Sequence, residues 1–210
     1  MNERERAEEH LKVIRTLMER ATIYRAISAP TALVAGLLAA TLSSVSLIWQ
    51  QRAGVSELPH FAAWWALVLL LTVAANTLFL WRAAQSRNEP MLSSSMKLAL
   101  KALLPPCLAA GVITAATGLN GDDYFLSILW TLFYGLALLA TAHFSPKSLV
   151  FLGWAFLVAG LGAFLVPFAQ TWGNSQLLWP EHIGASLLMG VTFGGFHLVY
   201  AACTWRRGAA

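Results

Sequence analysis

The sequence predicts an all-α polytopic membrane protein: a bundle of six transmembrane helices with an N-terminal cytoplasmic amphipathic helix. Three observations predict it. Of 210 residues, 58% are hydrophobic and 11% are charged, where soluble domains carry about 25% charge. Six stretches reach the ~20 mostly apolar residues that a spanning helix needs. The basic residues gather on alternate connections. The apolar runs are continuous and rich in Leu and Ala, unlike the ~10-residue alternating strands of a membrane β-barrel.

The chain divides into a head, residues 1–26, and a transmembrane domain, residues 27–205. In the head, Ala7, Leu11, Ile14, Met18 and Ala21 recur at alternating spacings of four and three, a heptad stripe able to dock a partner helix. Glu8 and Lys12 form a favourable pair one turn apart. The first part of the head is acidic. The part from Lys12 to Arg25 is basic and suits an anionic inner leaflet. No cleavable signal is evident, because acids accompany the bases and the first apolar run exceeds a signal core of ~7–15 residues.

The spans read 27–48, 61–81, 98–117, 124–143, 149–169 and 183–204. Lys and Arg favour the cytoplasmic side of short connections. Arg4, Arg6, Lys12, Arg15, Arg20, Arg25, Arg82, Arg87, Lys97, Lys101, Lys147, Arg206 and Arg207 fall on one side. Only Arg52 falls on the other, with Glu57, Asp122, Asp123 and Glu181. Both termini are therefore expected in the cytoplasm. Arginine outnumbers lysine ten to four, which hints at a GC-rich bacterial genome and a bacterial inner membrane. Trp49, Trp64, Trp65, Trp172 and Trp179 mark the outer ends, and Trp81, Trp154 and Trp205 the inner ones, as expected of residues that prefer the headgroup level. Trp130 lies deeper.

Asn120-Gly121-Asp122-Asp123 and Ser145-Pro146 read as tight turns. The longest inner connection, 82–96, contains Pro90 and a serine run that can cap the third helix. Within the third span, Pro105 and Pro106 must free backbone carbonyls and bend the helix. Ser186, Gly190 and Gly194 share a face of the sixth span. Gly36 with Ala32 and Ala40 forms a similar row on the first, as do Ala155, Ala159 and Ala163 on the fifth. Small residues let backbones approach, so spans one, five and six are expected to pack together, with a homo-oligomer face on the sixth as the alternative. The two halves of the chain do not share proline or glycine positions, unlike an inverted-repeat transporter.

No Asp, Glu, Lys or Arg falls mid-span. Proton relays, ion-coupled carriers and voltage sensors place such groups there. No phosphate-binding loop, dinucleotide fingerprint or nucleophile elbow is present. The polar candidates are Asn76 and His197, either bridging helices or contacting a ligand. Thr72, Thr114, Thr131, Tyr134 and Thr192 are milder. A bis-histidine haem on His143 and His197 would need equal depth, and the two differ by roughly 10 Å at ~1.5 Å per residue. His60 and His182 at the outer boundary are weak metal candidates, without a ligand motif. Cys107 and Cys203 lie in apolar segments with no metal or disulfide spacing.

Leu17-Met18-Glu19-Arg20-Ala21-Thr22, leading through Tyr24-Arg25-Ala26-Ile27-Ser28 into a small-residue span, resembles the opening of uncharacterised bacterial multi-pass inner-membrane proteins. The resemblance implies the topology and brings no activity or site residues. The sequence therefore points to a non-enzymatic scaffold, accessory or regulatory subunit with no cofactor. Bound lipid is expected, a protein partner is expected at the head, and nucleic acid is not. The alternatives are a carrier or passive pathway for a neutral or lipid-like molecule, with a cavity near Pro105, Asn76 and His197, and a haem or quinone redox subunit.

Overall fold

The computed structural model describes residues 4–14, 29–54, 60–87, 94–117, 122–143, 145–172 and 184–205. It is an all-helical bundle of six helices long and apolar enough to cross a membrane, preceded by a head helix over residues 4–14. The six are α1 (Ala29–Ala53), α2 (Phe61–Arg87), α3 (Ser94–Thr117), α4 (Asp123–Ala140), α5 (Lys147–Trp172) and α6 (Gly184–Trp205).

Local chemistry fixes the helix ends. Pro30 sits in the first turn of α1, where its missing N–H costs nothing. Asp122 caps α4 by accepting the Phe125 N–H at 2.9 Å, satisfying one of the unpaired donors of the first turn. Between α4 and α5 the Pro146 carbonyl accepts the Leu149 N–H at 3.0 Å. The Ser145 hydroxyl donates to Thr141 Oγ1 at 2.8 Å. His60 precedes α2 with φ 59°, in the left-handed region that non-glycine residues seldom adopt. Its carbonyl accepts the N–H groups of Ala63 and Trp64. Within the spans, Thr77, Thr114, Thr117, Thr131, Thr192 and Thr204 each donate to the carbonyl four residues earlier. Each hydroxyl is thus satisfied by its own helix.

The helices are not equivalent. Of the most apolar 18-residue window, 39% is buried in α1, α4 and α6 and 28% in α5, but only 6% in α2 and α3. The core is therefore built from α1, α4, α5 and α6. Helix α2 lies against α1, and α3 lies against α4. One cluster gathers Ala32, Leu138, Leu149, Leu152, Phe156, Tyr200 and Ala201. A second gathers Ala39, Phe61, Trp65, Ala185 and Met189.

Three expectations are corrected. Helix α5 packs on α4 rather than joining α1. Glycines decide this: a Cβ on Gly135 would stand 2.8 Å from Leu157 N, and one on Gly160 would stand 2.7 Å from Leu132 Cδ2. Trp65 is 5% exposed, so its ring packs inside the bundle instead of facing outward. The ring stands 6.1 Å from Phe61 and 6.4 Å from Phe193. Helix α1 continues past Ile48 to Ala53 and carries Gln50 into the core. Because α3 begins at Ser94, Pro105 and Pro106 are the twelfth and thirteenth of its 24 residues. There they deprive the carbonyls of Lys101 and Ala102 of their helical donors.

Candidate functional site

The site is built on α6, which is not a regular helix. Gly184–Met189 and His197–Trp205 are α-helical, and the seven residues Gly190–Phe196 between them form a π-helical segment. In such a turn the hydrogen bonds span five residues instead of four, a geometry that is rare and concentrated at functional positions.

Its purpose follows from where the flanking residues point. Before the turn, Ser186 Oγ lies 2.7 Å from Ser46 Oγ and accepts from Gln50 Nε2 at 3.2 Å. Gln50 Nε2 also donates to Ser46 Oγ at 3.0 Å, and Ser43 Oγ donates to the Ser186 carbonyl. A Cβ on Gly190 would overlap Ser43, and one on Gly194 would stand 3.2 Å from Ala40 N. After the turn, Leu198 fills the space left by Gly36, where a Cβ would stand 2.8 Å from Leu198 Cγ. Ser186, Gly190, Gly194 and Leu198 thus all meet α1 at intervals of four residues. In a regular helix each such interval drifts by roughly 40°, and three of them by about 120°. The π segment cancels that drift and holds both ends of α6 on α1.

The same turn aims His197 at α4. Its ring is buried, 7% exposed. Nδ1 lies 2.9 Å from the Phe193 carbonyl, and Nε2 lies 2.8 Å from the Tyr134 hydroxyl. A carbonyl only accepts, so Nδ1 carries the proton. In the neutral imidazole Nε2 is then the acceptor, and Tyr134 donates to it. The backbone N–H of His197 goes to the Gly194 carbonyl, so the ring takes the Phe193 carbonyl that this N–H would meet in an α-helix. Aromatic rings close around the pair. Tyr134 lies 4.7 Å from Phe156 and 5.1 Å from Phe193, and Phe156 lies 5.5 Å from His197 and 5.3 Å from Phe196. Phe156 itself has no exposed surface.

The remaining candidates go elsewhere. Asn76 is half-buried on α2, and its Oδ1 accepts the Thr31 hydroxyl at 3.1 Å. Pro105 is exposed and Pro106 half-buried on α3. Asn76 thus reaches α1, whereas His197 reaches α4. His143 is exposed in the turn after α4, apart from the buried His197, whose two nitrogens are both engaged; a haem ligand there would have to displace Tyr134. His60 is exposed, and His182 lies outside the described residues. Among the described residues no three of His, Cys, Asp and Glu gather as a metal set. Cys107 and Cys203 are exposed. In the head helix Leu11 is 65% and Ile14 52% exposed, while Met18 and Ala21 lie outside the described residues. Trp130 is half-buried, stacked on Phe61 at 6.0 Å, and its Nε1–H donates to Thr114 at 2.7 Å.

Sequence reasoning missed the Tyr134–His197 bond, the π segment and the Ser43–Ser46–Gln50–Ser186 network. Tyr134 carries only a mild signal as a lone mid-span hydroxyl. The π segment has one available sign: three glycines in seven residues of a spanning helix, two of them adjacent.

Comparisons with protein-family models, with curated proteins and with solved structures found no match.

Proposed function

We propose that this protein is a non-enzymatic accessory or regulatory subunit of a bacterial inner membrane, with both termini cytoplasmic, that engages a protein partner through its head helix. The observation that carries the reading is the apolar pair Leu11 and Ile14, three residues apart on a head helix whose described residues are all exposed. The more deeply buried polar side chains tell the same way. Ser186, Gln50, Ser46 and His197 are engaged with neighbours in the same chain, as helix-bridging groups are. The basic connections support the orientation, and annular lipid covers the apolar outer faces of α2 and α3.

The test places a photo-crosslinking amino acid at Ala7, on the same stripe and exposed, in intact cells. A discrete protein adduct is expected, and it should disappear when Leu11, Ile14 and Met18 are all changed to Ser while the six spans still insert. Adducts to lipid alone would reduce the head to an orientation signal and sink the reading.

A further inference from the structure

The turn in α6 has a second consequence for the molecule. Ser186 and His197 are eleven residues apart. At roughly 100° per residue a regular helix would turn through three circles and about 20° between them, leaving both on one face. Here they face different helices, Ser186 meeting Ser46 and Gln50 of α1, and His197 meeting Tyr134 of α4. The difference is the surplus residue stored between Gly190 and Phe196. Two anchors keep it stored: the serine–glutamine network before the turn, and the Tyr134–His197 bond after it. Within the turn the packing is loose at one point. A Cβ on Gly195 would meet only the Gly190 carbonyl, at 3.9 Å.

We propose that α6 is a two-register helix, with the π segment Gly190–Phe196 as the store of one residue and the Tyr134–His197 hydrogen bond as the latch that retains it. When the latch opens, the segment passes into regular α-helix. The half from His197 to Trp205 then turns by roughly 100° and shifts by about 1.5 Å against the half from Gly184 to Met189. His197 leaves Tyr134, Leu198 leaves Gly36, and Val199 and Trp205, both exposed, are re-presented on the outer surface of the bundle. A local change inside the core becomes a change in the surface offered to lipid or to a neighbouring protein, the kind of bistable element that conformational signalling requires. This inference does not rest on the role proposed for the head and is tested without reference to it.

The experiment is amide hydrogen exchange of the full-length protein in lipid nanodiscs, read on peptides covering residues 188–200. Tyr134→Phe keeps the ring and removes the latch. It should speed exchange there by a few-fold to about ten-fold, the effect of one hydrogen bond, because each passage between the two registers breaks the amide bonds of the segment on the way, with α4 and α5 unchanged. Deleting Gly195 leaves Ser186 and the histidine ten residues apart. At ~100° per residue that spacing reproduces their present angular offset in a regular helix. The deletion should therefore fold, slow the exchange below the wild-type rate, and abolish the effect of Tyr134→Phe. The proposal is overturned if Tyr134→Phe leaves the exchange unchanged or loosens the whole bundle evenly. It is equally overturned if the Gly195 deletion fails to fold or exchanges like the wild type.

Discussion

Two seams hold this bundle, and they are made differently. Between α4 and α5 the contact is mostly apolar: Leu132 and Leu139 sit over Gly160 and Gly153, Gly135 lies against the backbone of α5 at Leu157 and Gly153, and the Tyr124 hydroxyl donates to the Ala163 carbonyl at 3.1 Å. Between α1 and α6 small residues bring the backbones together, and serines and a glutamine then bond across the gap. In lipid there is no hydrophobic force between helices, so both seams depend on close fit. The α4–α5 seam relies chiefly on fit, with the Tyr124–Ala163 bond near one end. The α1–α6 seam adds hydrogen bonds at Ser186, and its close contacts at Gly190, Gly194 and Leu198 recur at intervals of four that a regular helix would carry away from α1 over about three turns. The π segment lies in α6, at the seam where those intervals apply.

This contrast can be sharpened by substitution, read by equilibrium unfolding in mixed detergent micelles. The largest effect is expected from Gly135→Ala. Its Cβ would stand 2.8 Å from Leu157 N and 3.0 Å from the Gly153 carbonyl, backbone atoms that cannot turn aside, so a loss of about 2–3 kcal/mol is expected from overpacking. Ser186→Ala comes next. It removes the links to Ser46 and Gln50, and intramembrane bonds of this kind average about 0.6 kcal/mol each with a maximum near 1.7, so a loss of roughly 1 kcal/mol is expected. If Ser186→Ala proved the costlier change, polar bonding would outweigh close fit and the contrast would invert. The smallest effect belongs to Gly162→Ala. Nothing lies within 4 Å of the added Cβ, and a change within about 0.5 kcal/mol is expected. A large loss there would mean that the outer face of α5 is covered by something other than lipid.

The six spans are legible in the sequence because hydropathy measures what each helix must cross. The helix ends differ by only a few residues from the apolar limits. The small residues of α6 are equally legible, since a row at intervals of four needs no partner to be recognised. What it packs against is not. The row on α5 looks like the rows on α1 and α6, yet α5 goes to α4, because the deciding glycines, Gly135, Gly153 and Gly160, distinguish themselves only by what stands opposite. Gln50 escapes a hydropathy reading because it follows the apolar limit at Ile48, and hydropathy ends a span where a polar side chain begins. Residue type alone suggests an outward-facing ring for Trp65, while Phe61 and Phe193 enclose it. His197 is recognisable as a candidate. Its partner Tyr134 is separated from it by 63 residues, and no periodicity along the chain joins them.

The hydroxyl groups of the bundle fall into two kinds, and the distinction is one of time. The threonines that bond to their own helix are satisfied as soon as each span forms. Ser43, Ser46 and Gln50 of the first span have bonding partners on the last, 136–143 residues further along. At a synthesis rate of ~5–20 residues per second, about 7–30 s separate the emergence of the two. During that interval the polar face of α1 stands without Ser186, the residue that completes it. Of the six spans described, α1 is made before the others and is among the last to be finished.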